Sequence, residues 1–151
     1  MTPERARELL ATVAGVTVAA TPTAPIVAQV LTEHWLDAAR YVKATLGCTY
    51  FSFLTAIDWK ADGLEIVLWV DNLDAKLSVQ LRTRLGADQT TCASIVPVYR
   101  GANWMERECF DMFGVQFVGH PDPRRILLAD DWQGHPLLKS YAVDTPHPPY
   151  R

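Results

Sequence analysis

The sequence predicts an α+β fold: a two-layer domain with a mixed, largely antiparallel sheet, helices on one face, and an extended C-terminal arm. Three observations carry that expectation. Apolar residues recur with helical period around residues 35–46, they alternate with period two between residues 64 and 84, and prolines concentrate beyond residue 120. The domain is placed at residues 1–118 and the arm at residues 119–151.

Thr2 is positioned to cap a first helix, with Pro3 at its first position and Glu4 beside the positive end of the helix dipole. That helix should reach Ala11 or Ala14 and bury Leu9, Leu10 and Val13. Residues 21–25, Thr-Pro-Thr-Ala-Pro, form a loop, and Ile26 to Leu31 is a short apolar run suited to a strand. Thr32 is the expected cap of a second helix, with Glu33 in its first turn and Leu31 stapled against Leu36. Trp35, Ala39, Val42 and Leu46 fall on one face of it, and Gly47 supplies the left-handed residue that ends it.

Strand patterns follow. Thr49 to Ile57 is aromatic and β-branched, Asp62-Gly63 is a turn signal, and Leu64, Ile66, Leu68 and Val70 alternate. From Lys76 to Arg84, Leu77, Val79 and Leu81 point inward while Lys76, Ser78, Gln80 and Arg82 point outward. One wet face implies largely antiparallel pairing. Residues 88–91 read as a loop and Ala93 to Val98 as a further strand. Ala102 to Phe113 reads as a short helix ended by Gly114. Six of the ten prolines lie between Pro121 and Pro149, without charge blocks. Such a segment reads as an ordered arm crossing a surface, its own or a partner's. Its Trp132, Leu137, Leu138 and Tyr141 need cover.

Composition narrows the function. The chain has 151 residues, 49% hydrophobic and 21% charged, with a net charge of −3, which suits one globular domain and argues against nucleic acid as the main partner. Cys48, Cys92 and Cys109 are scattered, so this chain alone builds neither a four-thiolate Fe–S cluster nor an all-cysteine zinc site. Their pattern suits reduced thiols in a cytoplasmic setting. Val13 to Leu31 lacks charge and follows Arg5 and Arg7. Glu4, Glu8, several threonines, Pro22 and Pro25 spoil it as a leader or a spanning helix. No G-x-G-x-x-G, Walker A, G-x-S-x-G or H-E-x-x-H sequence is present.

Three constellations remain. Glu106-Arg107-Glu108 and Asp111 lie on the last helix, where Glu108 and Asp111 share a face. That permits an acid/base carboxylate pair, but Trp104, Met105, Phe110, Met112 and Phe113 around them favour partly buried ion pairs that fix orientation. Gly119-His120-Pro121 and Gly134-His135-Pro136 form a spaced duplicate; a mixed metal site with Cys109, Asp130 or Asp131 lacks any supporting short ligand spacing. Arg124-Arg125, after Asp122 and before Ile126-Leu127-Leu128, is either a fork-and-carboxylate anchor or a solvated charge pair.

The run Ala102-Asn103-Trp104-Met105-Glu106-Arg107-Glu108-Cys109-Phe110-Asp111-Met112-Phe113-Gly114-Val115, with Phe117, Gly119-His120-Pro121 and Arg124-Arg125-Ile126-Leu127, resembles the signature of a known family. So does Asp131-Trp132-Gln133-Gly134-His135-Pro136-Leu137. The family is the 30 kDa subunit family of respiratory complex I, the C-type subunit of NADH-quinone oxidoreductase. The match covers about residues 98–139 in family order; Pro123, Leu138 and Ser140 depart from the family's leucine, arginine and aspartate.

This resemblance implies a non-catalytic structural subunit in the hydrophilic arm of a proton-translocating NADH:quinone oxidoreductase. It would bind no cofactor or metal itself, with FMN, Fe–S clusters and quinone held by partner subunits. The expected partners are the quinone-site-forming 49 kDa-type (D-type) subunit and the adjacent Fe–S (B-type) subunit. The expected location is the cytoplasmic face of the plasma membrane, peripheral through the complex. Trp104, Glu106, Arg107, Glu108, Asp111, His120, Arg124, Arg125, Trp132 and His135 are the expected interface and structural residues. Glu106, Glu108 and Asp111 are expected to accept the two arginines, locking helix to arm. An equivalent subunit of a membrane-bound hydrogenase or a ferredoxin- or deazaflavin-linked oxidoreductase is the close alternative. A free-standing metal-dependent hydrolase using His120 and His135 is the distant one.

Overall fold

The computed structural model describes residues 1–144, so the last seven residues of the expected arm lie outside the described residues. Helix α1 (Pro3–Ala11) begins as its sequence dictates: Thr2 is extended and its hydroxyl accepts from the Arg5 amide at 3.3 Å. Ala6 and Leu10 are buried, while Leu9 and Val13 pack at the margin. Strands β1 (Val16–Val18) and β2 (Ile26–Val30) then pair antiparallel. The first of them is too short for alternation to show in sequence.

Helix α2 (Trp35–Ala44) is entered through a 3₁₀ turn at Thr32–His34, and no side chain caps it. The expected Thr32 cap and Leu31 staple are not what forms: Leu31 is 55% exposed, and Thr32 is drawn away to the sheet. Its hydroxyl lies 3.0 Å from that of Thr83 and donates to the Arg84 carbonyl at 3.1 Å. Trp35, Ala39, Val42 and Leu46 are buried, as their spacing requires.

Strands β3 (Tyr50–Asp58), β4 (Leu64–Asn72) and β5 (Leu77–Arg84) complete a five-stranded sheet of order β1-β2-β5-β4-β3. Only the β2–β5 pairing within it is parallel. The register places Ala28, Leu81, Leu68 and Leu54 side by side on one face, next to Ile26, Val79, Val70 and Ile66. Against that face pack Leu10 of α1 and the buried row of α2. Each large apolar side chain there contributes about 1.5–3 kcal/mol through removal from water.

The opposite face is less wet than the alternation suggests. Gln80 and Glu65 are buried there, and Phe53 and Trp69 stack at 5.9 Å between centroids. Glu65 accepts from the Trp59 indole at 3.0 Å and lies 3.4 Å from Arg84 and 3.8 Å from Arg82. Long side chains lying flat on the strands exclude water that a simple in/out pattern would admit.

The remaining elements are β6 (Thr91–Ala93), α3 (Ala102–Phe113) and β7 (Gln116–Val118); β6 and β7 form a parallel two-stranded sheet. The expected strand over residues 93–98 does not extend past Ala93. Pro97 has no amide to give a ladder, and the Ile95 amide is taken by the Glu106 carboxylate at 2.7 Å. Helix α3 lies against β3, and residues 119–144 run on as turns and extended backbone without helix or strand.

Leu81 sits on the middle strand between Ala28 and Leu68 and is fully buried. Leu81→Ala is expected to cost about 2–5 kcal/mol. Urea unfolding should show a lower midpoint with an unchanged slope; an unmoved midpoint would place the core elsewhere.

Candidate functional site

The densest polar network among the described residues joins α3 to the segment that follows β7. Asp111, near the C-terminal end of α3, is fully buried. Its Oδ1 accepts from Arg125 Nη1 at 2.6 Å, and its Oδ2 accepts from the amides of Ile126, Leu127 and Leu128 at 3.2, 2.7 and 2.9 Å. Burial alone would raise its pKa. The Arg125 guanidinium and the three amides outweigh burial and hold the carboxyl below its ordinary range.

Arg125 reaches further. It donates to the carbonyls of Asp111, Trp132 and Gly134 at 3.2, 3.0 and 3.0 Å, so one planar group ties the end of α3 to the 132–134 segment. Arg107, one turn earlier on α3, donates to the carbonyls of Arg124 and Arg125 at 3.0 and 2.8 Å, and lies 3.6 Å from Asp122. Arg124 itself turns outward and pairs with Asp122 through two bonds of 2.6 and 2.9 Å, its side chain 73% exposed.

The far part of the segment is fixed in the same way. His135 Nδ1 bonds the Asp111 carbonyl at 2.9 Å, its ring meets Phe110 edge-on, and the Leu137 amide donates to the Met112 carbonyl at 3.0 Å. Gly114 ends α3 with φ +76, where a side chain would be strained, and a Cβ there would come within 2.8 Å of the His135 ring. Asp58, at the end of β3, accepts from the amides of Lys139 and Lys60 at 2.7 and 2.8 Å. Those two amides hold the Asp58 carboxyl below its ordinary range.

The expected pairing of Glu106, Glu108 and Asp111 with both arginines is therefore corrected. Asp111 alone takes an arginine, Arg125. Glu106 turns to the opposite side of α3, accepting from the Ser94 hydroxyl at 2.6 Å and the Ile95 amide at 2.7 Å. Burial pushes its pKa up to about 7 against those two donors. Glu108 is half-buried and has no hydrogen bond or ion pair among the described residues. Arg124 prefers Asp122 because two residues of turn bring them together, whereas Arg125 faces the helix.

The His120 side chain is buried, with Nε2 at 3.0 Å from the Asn103 carbonyl and Nδ1 accepting from the Asp122 amide at 2.9 Å. Trp104 is 64% exposed, with the Arg107 guanidinium 6.0 Å from its ring centroid, and Trp132 is half-buried. Among the described residues, no three His, Cys, Asp or Glu side chains converge as a metal site would need. No described helix is long and apolar enough to cross a membrane. Ser94, the Ile95 amide and the Met112 carbonyl were not foreseeable: an isolated serine and two backbone groups leave no pattern in sequence.

The fold and this network define an α+β scaffold that fixes an extended segment along one helix. Its family is shown by comparison: the chain belongs to the respiratory-chain NADH dehydrogenase 30 kDa subunit family, whose model matches residues 28–147. It is 37% identical over 123 residues to the C-type subunit of NADH-quinone oxidoreductase from Geobacter sulfurreducens, covering 79% of this chain and 76% of that one. It is also 37% identical over 89 residues to the C/D-type subunit of NADH-quinone oxidoreductase from Phocaeicola vulgatus, covering 58% of this chain and only 17% of that longer protein. The fold is similar to the trypsin-resistant fragment (1-134) of Nqo5, with a TM-score of 0.69 at 19% identity over 79% of this chain and 97% of that one.

Asp111→Ala leaves the Arg125 charge and three amides without their acceptor and is expected to cost about 3–5 kcal/mol. Limited proteolysis should then cut residues 119–144 faster, and an unchanged cleavage rate would contradict the assignment. Since the folded carboxyl has the lower pKa, its stabilisation is present above the unfolded value of about 3.9 and fades as pH falls through the folded value. The acid limb of the stability curve should flatten in Asp111→Asn.

Proposed function

We propose that this chain is a non-catalytic structural subunit of the hydrophilic arm of a proton-translocating NADH:quinone oxidoreductase. One observation carries the reading: the C-terminal segment is held to α3 mainly through its own backbone, which leaves apolar side chains exposed. Leu127 and Leu137 are 62% and 52% exposed, and Trp104 and Val118 are exposed on α3 and β7. A segment that is rigid yet apolar on its outer side suits docking onto another subunit, because the entropy of ordering it is already spent.

The C/D-type relative supports a D-type subunit as the neighbour, since its name joins the two units in one polypeptide. A B-type Fe–S subunit is the second proposed neighbour. In this reading FMN, Fe–S clusters and quinone sit in partner subunits. The isolated chain has no oxidoreductase activity, and the assembly holds it peripherally at the cytoplasmic face of the plasma membrane. Residues 1–118 act as the body and residues 119–151 as the docking arm. Trp104, Arg107, Asp111, Arg125, Trp132 and His135 organise that arm.

The test is co-purification of the tagged chain from mild-detergent membranes. Fe–S and membrane subunits should accompany the unaltered chain. The identity of the electron-input subunit in that preparation separates an NADH-fed complex from a hydrogenase or a ferredoxin-linked one. Arg125→Ala, which empties the buried side of the clasp, is expected to reduce recovery of partners at least several-fold. Arg124→Ala, whose pair with Asp122 lies in solvent and is screened by it, should leave recovery nearly unchanged. Equal, undiminished recovery with both variants would sink the docking role of the clasp.

A further inference from the structure

Helix α3 carries four charged side chains, Glu106, Arg107, Glu108 and Asp111, and the fold uses three of them. Glu106 is taken by Ser94 and Ile95, Arg107 by two arm carbonyls, and Asp111 by Arg125 and three amides. Glu108 is half-buried and has no hydrogen bond or ion pair among the described residues.

The helix itself cannot supply the counter-charge. Side chains meet along a helix at separations of three and four residues, and for Glu108 those positions hold Trp104, Met105, Asp111 and Met112. Three are apolar and the fourth is another carboxylate. The arginines of this region are committed elsewhere, Arg107 and Arg125 to the clasp and Arg124 to Asp122. Partial burial strips water from the Glu108 carboxylate and gives it no donor in return.

The flanking residues define what would answer it. Trp104, one turn before Glu108, is 64% exposed, while Met105 and Met112 are half-buried. Leu127, whose amide bonds Asp111, is 62% exposed. The surface is therefore apolar, with one acidic centre and one open indole. A guanidinium suits both features: its fork matches a carboxylate with two parallel bonds, and its plane lies on an aromatic face. An ammonium is a more strongly hydrated point charge, and an apolar side chain would bury the carboxylate without a partner. Arg107 lies 6.0 Å from the Trp104 ring centroid, but Asp122 at 3.6 Å offsets its charge.

We propose that α3 receives an arginine of a neighbouring subunit, whose guanidinium pairs with Glu108 and lies on the Trp104 indole. This rests on the docking role proposed above and gives it a chemical address. A charged anchor inside an apolar rim is the arrangement that concentrates binding energy at protein interfaces. No bond within the chain has to break to admit the arginine, since Glu108 holds none.

The experiment is the co-purification of the tagged full chain from mild-detergent membranes, with substitutions at these two residues. Glu108→Gln and Glu108→Met should each lower recovery of partner subunits about tenfold, as loss of one charged hydrogen-bonded pair requires. Glu108→Arg should lower it further, because it opposes two like charges. Trp104→Phe keeps a ring face and should retain most of the recovery that Trp104→Ala loses. The melting midpoint of each isolated Glu108 variant should match that of the unaltered chain, since no internal contact is removed. Full recovery with Glu108→Met would mean an apolar contact and overturn the arginine. A melting midpoint that falls with recovery would make Glu108 an internal support and overturn it equally. If the unaltered chain brings no partner subunit down, the docking role fails and this contact with it; normal recovery of the unaltered chain beside undiminished Glu108 variants overturns this contact alone.

Discussion

A carboxylate placed in an apolar interior is costly unless donors surround it, and Asp111 meets that requirement only with the arm in place. Three of its four donors are consecutive amides of a segment with no secondary structure of its own, and the fourth is an arginine from the same segment. Helix and arm are therefore interdependent. Without the arm, α3 carries an unsatisfied buried charge; without Asp111, residues 125–128 lose the acceptor that replaces a ladder. The Gly114 terminus, the His135 ring above it and the Arg107 bonds all sit around this one contact.

The rest of the chain makes such a contact possible by supplying a rigid base. The five-stranded sheet and α1 and α2 bury a continuous apolar face, and α3 joins it through Ala102 and Cys109. Asp58 at the end of β3 then accepts from the Lys139 amide, 81 residues away. That bond attaches the far part of the arm to the sheet, while Asp111 attaches its near part to the helix. The arm is thus spanned between two carboxylates, each held ionised with the help of backbone amides.

Much of this was legible in the residues. The row Trp35, Ala39, Val42 and Leu46 and the alternation of Leu77, Val79 and Leu81 report burial directly, because period and face are the same information. The Thr2 cap and the Gly114 stop are local chemistry. What could not be read depends on contacts distant in sequence. Thr32 bonds Thr83 and Arg84 instead of its own helix, and Ile95 gives its amide to Glu106 instead of a strand. The charge pattern Glu106-Arg107-Glu108 with Asp111 announced buried ion pairs but not their partners. Glu106 and Asp111 point to different sides of the helix, so they serve different neighbours.

The clasp addresses backbone far more than side chains. Arg107 binds two arm carbonyls, Arg125 binds two more, Asp111 binds three amides, and Met112 and Asp58 bind one arm amide each. Every amino acid carries these backbone groups, proline alone lacking the N–H. The outward positions, Leu127 and Leu137 among them, are therefore chemically unconstrained by the attachment beneath them. A lineage can rewrite that outer surface to suit a changing neighbour, one residue at a time, while the mounting stays as it is.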